Sequence, residues 1–186
     1  MKLNLILWIS LFASFANSSL LAQKKLSDMS WSEVVYKQPD SWYGSEEAIS
    51  VAENVLLYQR NIGCWPKNTA MQIPLSETDK NKLLQLKTST DDVTIDNGAT
   101  LLEMIYLSKV YNQTQVEKYK TGFLKGLDYI LEAQYENGGW PQFYPLRKGY
   151  YSHITFNDNA TINVLKLLKE ISEKSRKFNF VTINTV

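Results

Sequence analysis

Apolar residues recur at helical spacing in four segments of the chain. The first segment begins near Ser45, a favourable N-cap, and ends before Gly63 and Pro66 in the stretch 61–68. The other three cover about 96–111, 115–134 and 159–173. Residues three or four positions apart form one apolar face in each, which predicts amphipathic helices. The predicted core positions are Ile49, Ala52, Val55, Leu56 and Tyr58; Leu101, Leu102, Ile105 and Val110; Phe123, Leu127, Ile130 and Leu131; Ile162, Leu165, Leu168 and Ile171.

Weaker patterns lie before and between these helices. Residues 23–44 are polar with interspersed Trp and Tyr, and Pro39 interrupts them, so we predict a segment that packs on the first helix. Residues 75–86 predict a short helix capped by Ser76 or Thr78, and residues 88–92 predict a polar loop.

Two stretches of the chain repeat each other. The segment NIGCWPKN at 61–68 parallels NGGWPQFY at 137–144, and TIDNGAT at 94–100 parallels TFNDNAT at 155–161. Each copy has the order helix, Gly-Trp-Pro loop, polar cluster, helix. Repeated helical hairpins stack side by side, and each buries its apolar face on the next. We therefore predict an all-α fold whose polar loops gather at one end.

Composition narrows the function classes. The 186 residues are 44% hydrophobic and 21% charged, which is typical of a soluble globular domain. A net charge of +1, without a long basic run, gives no reason to expect nucleic acid as a partner. The single cysteine, Cys64, excludes an internal disulfide. A catalytic pair of Cys64 with the only histidine, His153, is a minor alternative to a packed thiol.

The N-terminus has the pattern of a secretory signal peptide. Lys2 precedes an apolar run from Leu3 to Phe15, and small or polar residues follow up to Ala22. This run is short for a membrane span. We predict cleavage after Ala22, with 16–18 as the alternative, and a secreted or periplasmic mature domain of residues 23–186 with no membrane anchor.

Two aspartates stand in the polar clusters. Asp96 and Asp158 each lie just before a predicted helix, in places that we expect to correspond. One interpretation is that they cap the helices. The other is a calcium site, because carboxylate and carboxamide oxygens suit that ion. The neighbouring amides that add acceptors are Asn97, Asn157 and Asn159.

Aromatic and basic residues accompany these clusters. Trp65 and Trp140 are either sugar platforms or packed turn residues, and packing is favoured for both. The loop tyrosines Tyr144, Tyr150 and Tyr151 are better candidates for exposure. Candidate anion contacts are Lys67, Arg147 and His153. A solvated charge is the alternative for Lys67, and a buried, hydrogen-bonded imidazole is the alternative for His153.

Four segments together carry a family resemblance: QRNIGCWPKN (59–68), TIDNGAT (94–100), LKGLDYILEAQYENGGWPQFYPL (124–146) and HITFNDNAT (153–161). They resemble pectate lyases of polysaccharide lyase family 10 over about residues 45–172. The resemblance implies an incomplete (α/α) toroid of helical hairpins, of which this chain holds about two. It also implies calcium-dependent β-elimination of polygalacturonate, the polysaccharide partner.

The resemblance assigns roles to residues by position. Asp96 matches the aspartate tied to calcium and to the reactive uronate, and Asp158 matches the second acidic position of the cleft. Lys67, Arg147 and His153 fall on cleft-side positions, and we add Asn159 and Trp140 as substrate-binding candidates. The base of the family is an arginine on a later helix-loop unit, which we expect beyond residue 186.

Three hypotheses follow for the function. The chain is the N-terminal part of a pectate lyase whose catalysis is incomplete without the base arginine, or a non-catalytic, calcium-dependent pectin-binding module. A generic helical scaffold is the third and least supported hypothesis. An uncovered edge of the helices at 115–134 and 159–173 predicts marginal stability or self-association.

Overall fold

The computed structural model describes residues 24–182. The predicted signal peptide, with its cleavage site after Ala22, lies outside these residues. Within them, no helix has both the length and the apolar character needed to cross a bilayer.

Helices make up the fold, as predicted. The six α-helices are α1 (Trp31–Lys37), α2 (Glu46–Tyr58), α3 (Glu77–Gln85), α4 (Leu101–Thr114), α5 (Glu117–Glu132) and α6 (Ala160–Ser172). Pairing of strand type in the described residues is limited to two isolated bridges, Pro66 with Val93 and Pro141 with Ile154. Helices α4 and α5 form a hairpin, and α1, α2 and α6 pack against α4. The arrangement is consistent with part of an α/α toroid.

Helix α1 lies in the stretch for which the sequence predicted only a packing segment. Its start is a capping box: Ser30 Oγ accepts from the backbone N–H of Glu33, and the Glu33 side chain accepts from the Ser30 N–H. Trp31, Val34 and Val35 are buried, and α1 packs mainly on α4. The pair of Ser30 and Glu33, three residues apart, was the sequence signal for this helix. Pro39 follows two residues after the end of α1.

The predicted caps of α2 and α3 are confirmed. Ser45 Oγ accepts from the N–H of Ala48 at 3.2 Å, and Ser76 Oγ accepts from the N–H of Asp79 at 3.2 Å. These bonds satisfy backbone donors that a helix start leaves unpaired. Helix α4 begins at Leu101, later than the predicted start near residue 96, because a short 3₁₀ turn at 96–98 precedes it. Helix α6 begins at Ala160, one residue after the predicted start, and follows a 3₁₀ turn at 157–159.

Close packing brings α5 against two other helices. A Cβ at Gly122 would lie 2.6 Å from Leu56 Cδ2 and 2.9 Å from Leu107 Cδ1. A Cβ at Gly126 would lie 2.7 Å from Met104 Cγ. The two glycines are one turn apart on α5 and let it approach α2 and α4 more closely than larger residues allow.

The predicted core faces are only partly correct. Phe123, Leu127 and Ile130 are buried as predicted, whereas Leu131 is 50% exposed. On α6, Ile162 and Leu165 are 42% and 47% exposed. The buried face of α6 is formed by Val164, Leu167 and Ile171. Helix α6 carries apolar residues on two faces, so periodicity alone could not select the inner one. Self-association through the exposed face stays a prediction.

Candidate functional site

Both Gly-Trp-Pro loops are anchored by their tryptophans. Trp65 Nε1 donates to the Val55 carbonyl at 2.7 Å, and Trp140 Nε1 donates to the Ile130 carbonyl at 2.8 Å. Each tryptophan therefore reaches ten residues back, into the preceding helix, and each is 0% exposed. The interpretation of Trp65 as a packed residue is confirmed. The assignment of Trp140 to substrate binding is wrong, because a fully buried ring offers no face to a sugar.

Paired threonines fix both polar clusters. Thr100 Oγ1 donates to the Thr94 carbonyl at 3.0 Å, and Thr161 Oγ1 donates to the Thr155 carbonyl. All four side chains are buried. The hydroxyl of Thr94 also accepts from a backbone N–H two residues later, and so does the hydroxyl of Thr155. These bonds fold each cluster into the same turn at a helix start.

The backbone φ angles of the two turns show which residues of the two clusters correspond. Asn97 and Asp158 have left-handed φ values of 53° and 47°, and Gly98 and Asn159 follow with 76° and 59°. Asparagine, aspartate and glycine are the residues that accept this region most readily. Asn159 thus has a backbone role, and its side chain is exposed.

This correspondence corrects the expected placement of the two aspartates. Asp96 occupies the place of Asn157, and Asp158 occupies the place of Asn97. Asp96 is 4% exposed, whereas Asp158 is exposed. The two carboxylates therefore come from different steps of the turn, one pointing inward and one lying at the surface.

Asp96 is held by side chains from both Gly-Trp-Pro loops. Its Oδ2 accepts from Lys67 Nζ at 2.6 Å and from Gln142 Nε2 at 2.9 Å. Its Oδ1 is buried without a hydrogen-bond partner in residues 24–182. Burial works to raise the pKa of Asp96, but the hydrogen bonds from Lys67 and Gln142 and the Lys67 charge outweigh it, so the pKa lies below its usual value.

Lys67 and Gln142 occupy the same position in the two loops, directly after the Trp-Pro pair. Both donate to the same oxygen of Asp96. Gln142 is buried, and its backbone carbonyl accepts from Thr94 Oγ1 at 2.5 Å. The sequence analysis missed Gln142. Alignment of WPK with WPQ was the signal that could have found it.

Asp158 lies close to Asp96. Its carboxyl group is the weakest of the influences that lower the pKa of Asp96. Two neighbouring carboxylates repel each other, and a bound cation would offset this repulsion. In the described part of the chain, no group of three or more His, Cys, Asp and Glu side chains gathers in a way that could hold a metal ion.

Arg147 contacts the loop between α3 and α4, close to Val93. Its Nη2 donates to the Asp91 carbonyl, and its guanidinium carbon lies 3.9 Å from the centre of the Phe143 ring. The structure therefore gives Arg147 a role in joining the second loop to residues 90–91. Its role as an anion contact stays a prediction.

His153 is exposed, so its interpretation as a buried imidazole is wrong. It lines a depression of about 260 Å³ together with Gln142, Tyr150 and Phe156. Tyr150 is 61% exposed, as expected for a loop tyrosine, and Phe156 is 74% exposed. Phe156 was not predicted as a site residue. Two exposed aromatic rings beside a polar cluster are suited to contact sugar rings.

Cys64 and Arg60 have structural roles. Cys64 is buried, and burial raises the pKa of its thiol to about 12, so the packed-thiol interpretation is confirmed. Arg60 is 2% exposed and pairs with Asp92 through two hydrogen bonds, of 3.2 Å and 2.5 Å. Neither side chain is available for chemistry at Asp96.

Comparison with known proteins agrees with this geometry. The sequence profile of the family described as pectic acid lyase matches residues 59–185. The comparison with curated proteins gives no significant match. A family 10 polysaccharide lyase from Cellvibrio cellulosa is similar in structure, with a TM-score of 0.58 and 33% identity. An Asp-to-Ala mutant of such an enzyme from the same organism, in complex with trigalacturonic acid, has a TM-score of 0.58 and 32% identity.

The coverage of these matches is unequal. Each structural comparison covers 80% of this chain and 41% of the other protein. The chain thus spans less than half the length of the solved structures that it resembles. Because the family profile matches more than half of its 186 residues, the chain belongs to the pectic acid lyase family.

Proposed function

We propose that this chain forms the calcium- and uronate-binding half of a pectate lyase site, which acts on polygalacturonate by β-elimination. The observation that carries the proposal is Asp96: a buried carboxylate with lowered pKa, held by Lys67 and Gln142, with Oδ1 free of partners among the described residues. The similar Cellvibrio enzyme that binds trigalacturonic acid supports the choice of polymer.

The residues present fit a calcium ion. Asp96 Oδ1 is an unpartnered oxygen beside the carboxyl group of Asp158, and hard carboxylate oxygens are the ligands that calcium prefers. We assign these two aspartates as the protein ligands. A bound calcium ion would supply positive charge that stabilises the anion formed when the C5 hydrogen next to a uronate carboxylate is removed.

The protein's own side chains orient the substrate. Lys67 brings a positive charge to within 2.6 Å of Asp96 and is placed to contact a uronate carboxylate at the same point. Gln142 fixes the carboxylate of Asp96 from the opposite loop. A carboxylate with lowered pKa is a weak base, so Asp96 is a holder of cation and substrate and not the proton acceptor.

We assign the proton acceptor to none of the arginines among residues 24–182. Arg60 is paired with Asp92, Arg147 with backbone carbonyls, and Arg176 begins a short turn far along the chain at 176–178. In the described residues, none of these arginines contacts Asp96. The same observation favours a second candidate function, a calcium-dependent pectin-binding module that does not cleave. For either function we propose a secreted or periplasmic location, where plant polymers are met.

The test is a cleavage assay combined with a binding assay. Purified protein is mixed with polygalacturonate, with calcium or with a chelator, and the ultraviolet absorbance of unsaturated uronide is followed. We expect calcium-dependent binding without a rise in absorbance. A calcium-dependent rise would show that a group in this chain serves as the base. No binding with either calcium or chelator would overturn both proposed functions.

A further inference from the structure

A cavity of about 290 Å³ lies between α1, the loop after Pro66 and the start of α4. Small-molecule sites begin at roughly 300 Å³, so the space is at the lower end of the range for a small organic ligand. Ser30, Ser32 and Thr69 are among the residues that line it. None of the sites described above uses this cavity.

Glu103 is the buried charge in its wall. The residue is 2% exposed, and Oε1 accepts from Trp31 Nε1 at 2.7 Å. Its Oε2 is buried and lacks a hydrogen-bond partner in the described part of the chain. Burial raises the pKa of Glu103 to about 7. A buried carboxylate oxygen without a donor is costly, and such a group calls for a ligand or another role.

The second copy of the repeat shows that the fold does not require this carboxylate. With Thr100 matched to Thr161, Glu103 falls on Val164, which is 0% exposed. An apolar residue fills that position on α6 without a polar partner. Glu103 is therefore a departure of the first copy from the common scaffold, and it lies in the wall of the cavity.

The cavity shares its walls with the Asp96 site. Pro66 and Asn68 line it and flank Lys67, and Asn97 lines it and follows Asp96. Asn97 Nδ2 donates to Asn68 Oδ1 at 3.2 Å, and the bond joins two residues of the cavity wall. A branch of a pectic polymer bound at Asp96 would thus have this cavity nearby.

We propose that this cavity binds a neutral sugar unit of the pectic polymer, with a sugar hydroxyl donating to Glu103 Oε2. The inference rests on the proposed function for its polymer and adds the class of unit recognised. A sugar hydroxyl supplies the donor that Oε2 lacks. A uronate is disfavoured, since its carboxylate would face that of Glu103.

The test follows the indole N–H resonance of Trp31 by NMR at pH 8, where Glu103 is mostly ionised. The probes are methyl galactoside, methyl rhamnoside and galacturonic acid. We expect at least one neutral glycoside to shift the resonance in a saturable manner and galacturonic acid to bind more weakly. Glu103→Val, which copies the second repeat, is expected to weaken neutral-sugar binding at least ~10-fold.

Two more variants make the result decisive. Ala70→Phe places a ring at an exposed position of the cavity rim without touching Glu103, and it should also remove binding of the neutral glycoside. Asp96→Ala should keep that binding while it loses calcium-dependent trigalacturonate binding, which separates this proposal from the proposed function. The inference is overturned if no neutral glycoside shifts Trp31, if both cavity variants bind as the parent does, or if galacturonic acid binds there equally well.

Discussion

The two copies of the loop-and-cluster motif share a scaffold and differ in chemistry. Both have a buried tryptophan bonded ten residues back, a bridge at the following proline and a threonine pair that closes the turn. The first copy places carboxylates at Asp96 and Glu103, where the second has Asn157 and Val164. The shared features build the fold, and the departures mark the residues to which we assign function.

The two copies also meet at one atom. Lys67 from the first loop and Gln142 from the second both donate to Asp96 Oδ2. Equivalent residues of the two copies thus donate to a single carboxylate. Lys67 is charged, and Gln142 is neutral. Each copy is therefore an internal control for the other, and matched substitutions in the two copies test the assignment.

The largest expected effect comes from the shared scaffold. Trp65→Ala and Trp140→Ala should each lower the free energy of unfolding by about 3–5 kcal/mol, because each removes a fully buried ring and its hydrogen bond. Urea unfolding of the two variants measures this. If Trp140→Ala left stability unchanged and removed polymer binding, Trp140 would be a sugar platform after all.

The next effect concerns Glu103 and the pH dependence of stability. Burial raises the pKa of its carboxyl group from 4.5 to about 7, so the folded state binds the proton more tightly than the unfolded state. This contribution to stability is complete below pH 4.5 and is lost as the pH rises through about 7, a change of ~3 kcal/mol.

Glu103→Gln removes the titrating group and should abolish this part of the pH dependence. Unfolding free energies at pH 5 and pH 8 for the parent and the variant test the prediction. Val164→Ile in the second copy is the matched control, because it changes packing without a charge. An unchanged slope in the Glu103 variant would show that another group titrates.

Substitution of Asp96 tests the division of roles between the clusters. Asp96→Ala should weaken calcium-dependent polygalacturonate binding at least ~100-fold, because it removes a buried charge that two donors position. Helix content measured by circular dichroism should stay nearly unchanged. Asn157→Ala, the matched change in the second copy, should have only a small effect on binding. Equal losses in the two variants would show that the turn, and not the carboxylate, binds the polymer.

The sequence predicted the shared scaffold better than the chemistry. Helical periodicity, glycine and proline located five of the six α-helices, and the echo between the loops paired the two clusters. The inner face of α6 was missed because that helix is apolar on two sides. Gln142 and Glu103 were missed for a different reason: their roles depend on contacts across 46 and 72 residues of the chain. Local patterns do not report such contacts.

The smallest effect separates the two donors that meet on Asp96. Lys67→Met and Gln142→Leu each remove one hydrogen bond to Oδ2, but only the first also removes a charge. With calcium present, Lys67→Met should weaken trigalacturonate binding about 10-fold and flatten its dependence on salt, because a charged donor contributes more and is screened by ions. Gln142→Leu should weaken binding only about 3-fold and keep the salt dependence of the parent. Calorimetric titrations at two sodium chloride concentrations give both quantities. If the two variants responded to salt in the same way, Lys67 would only position Asp96, as Gln142 does, and another cation would have to contact the uronate.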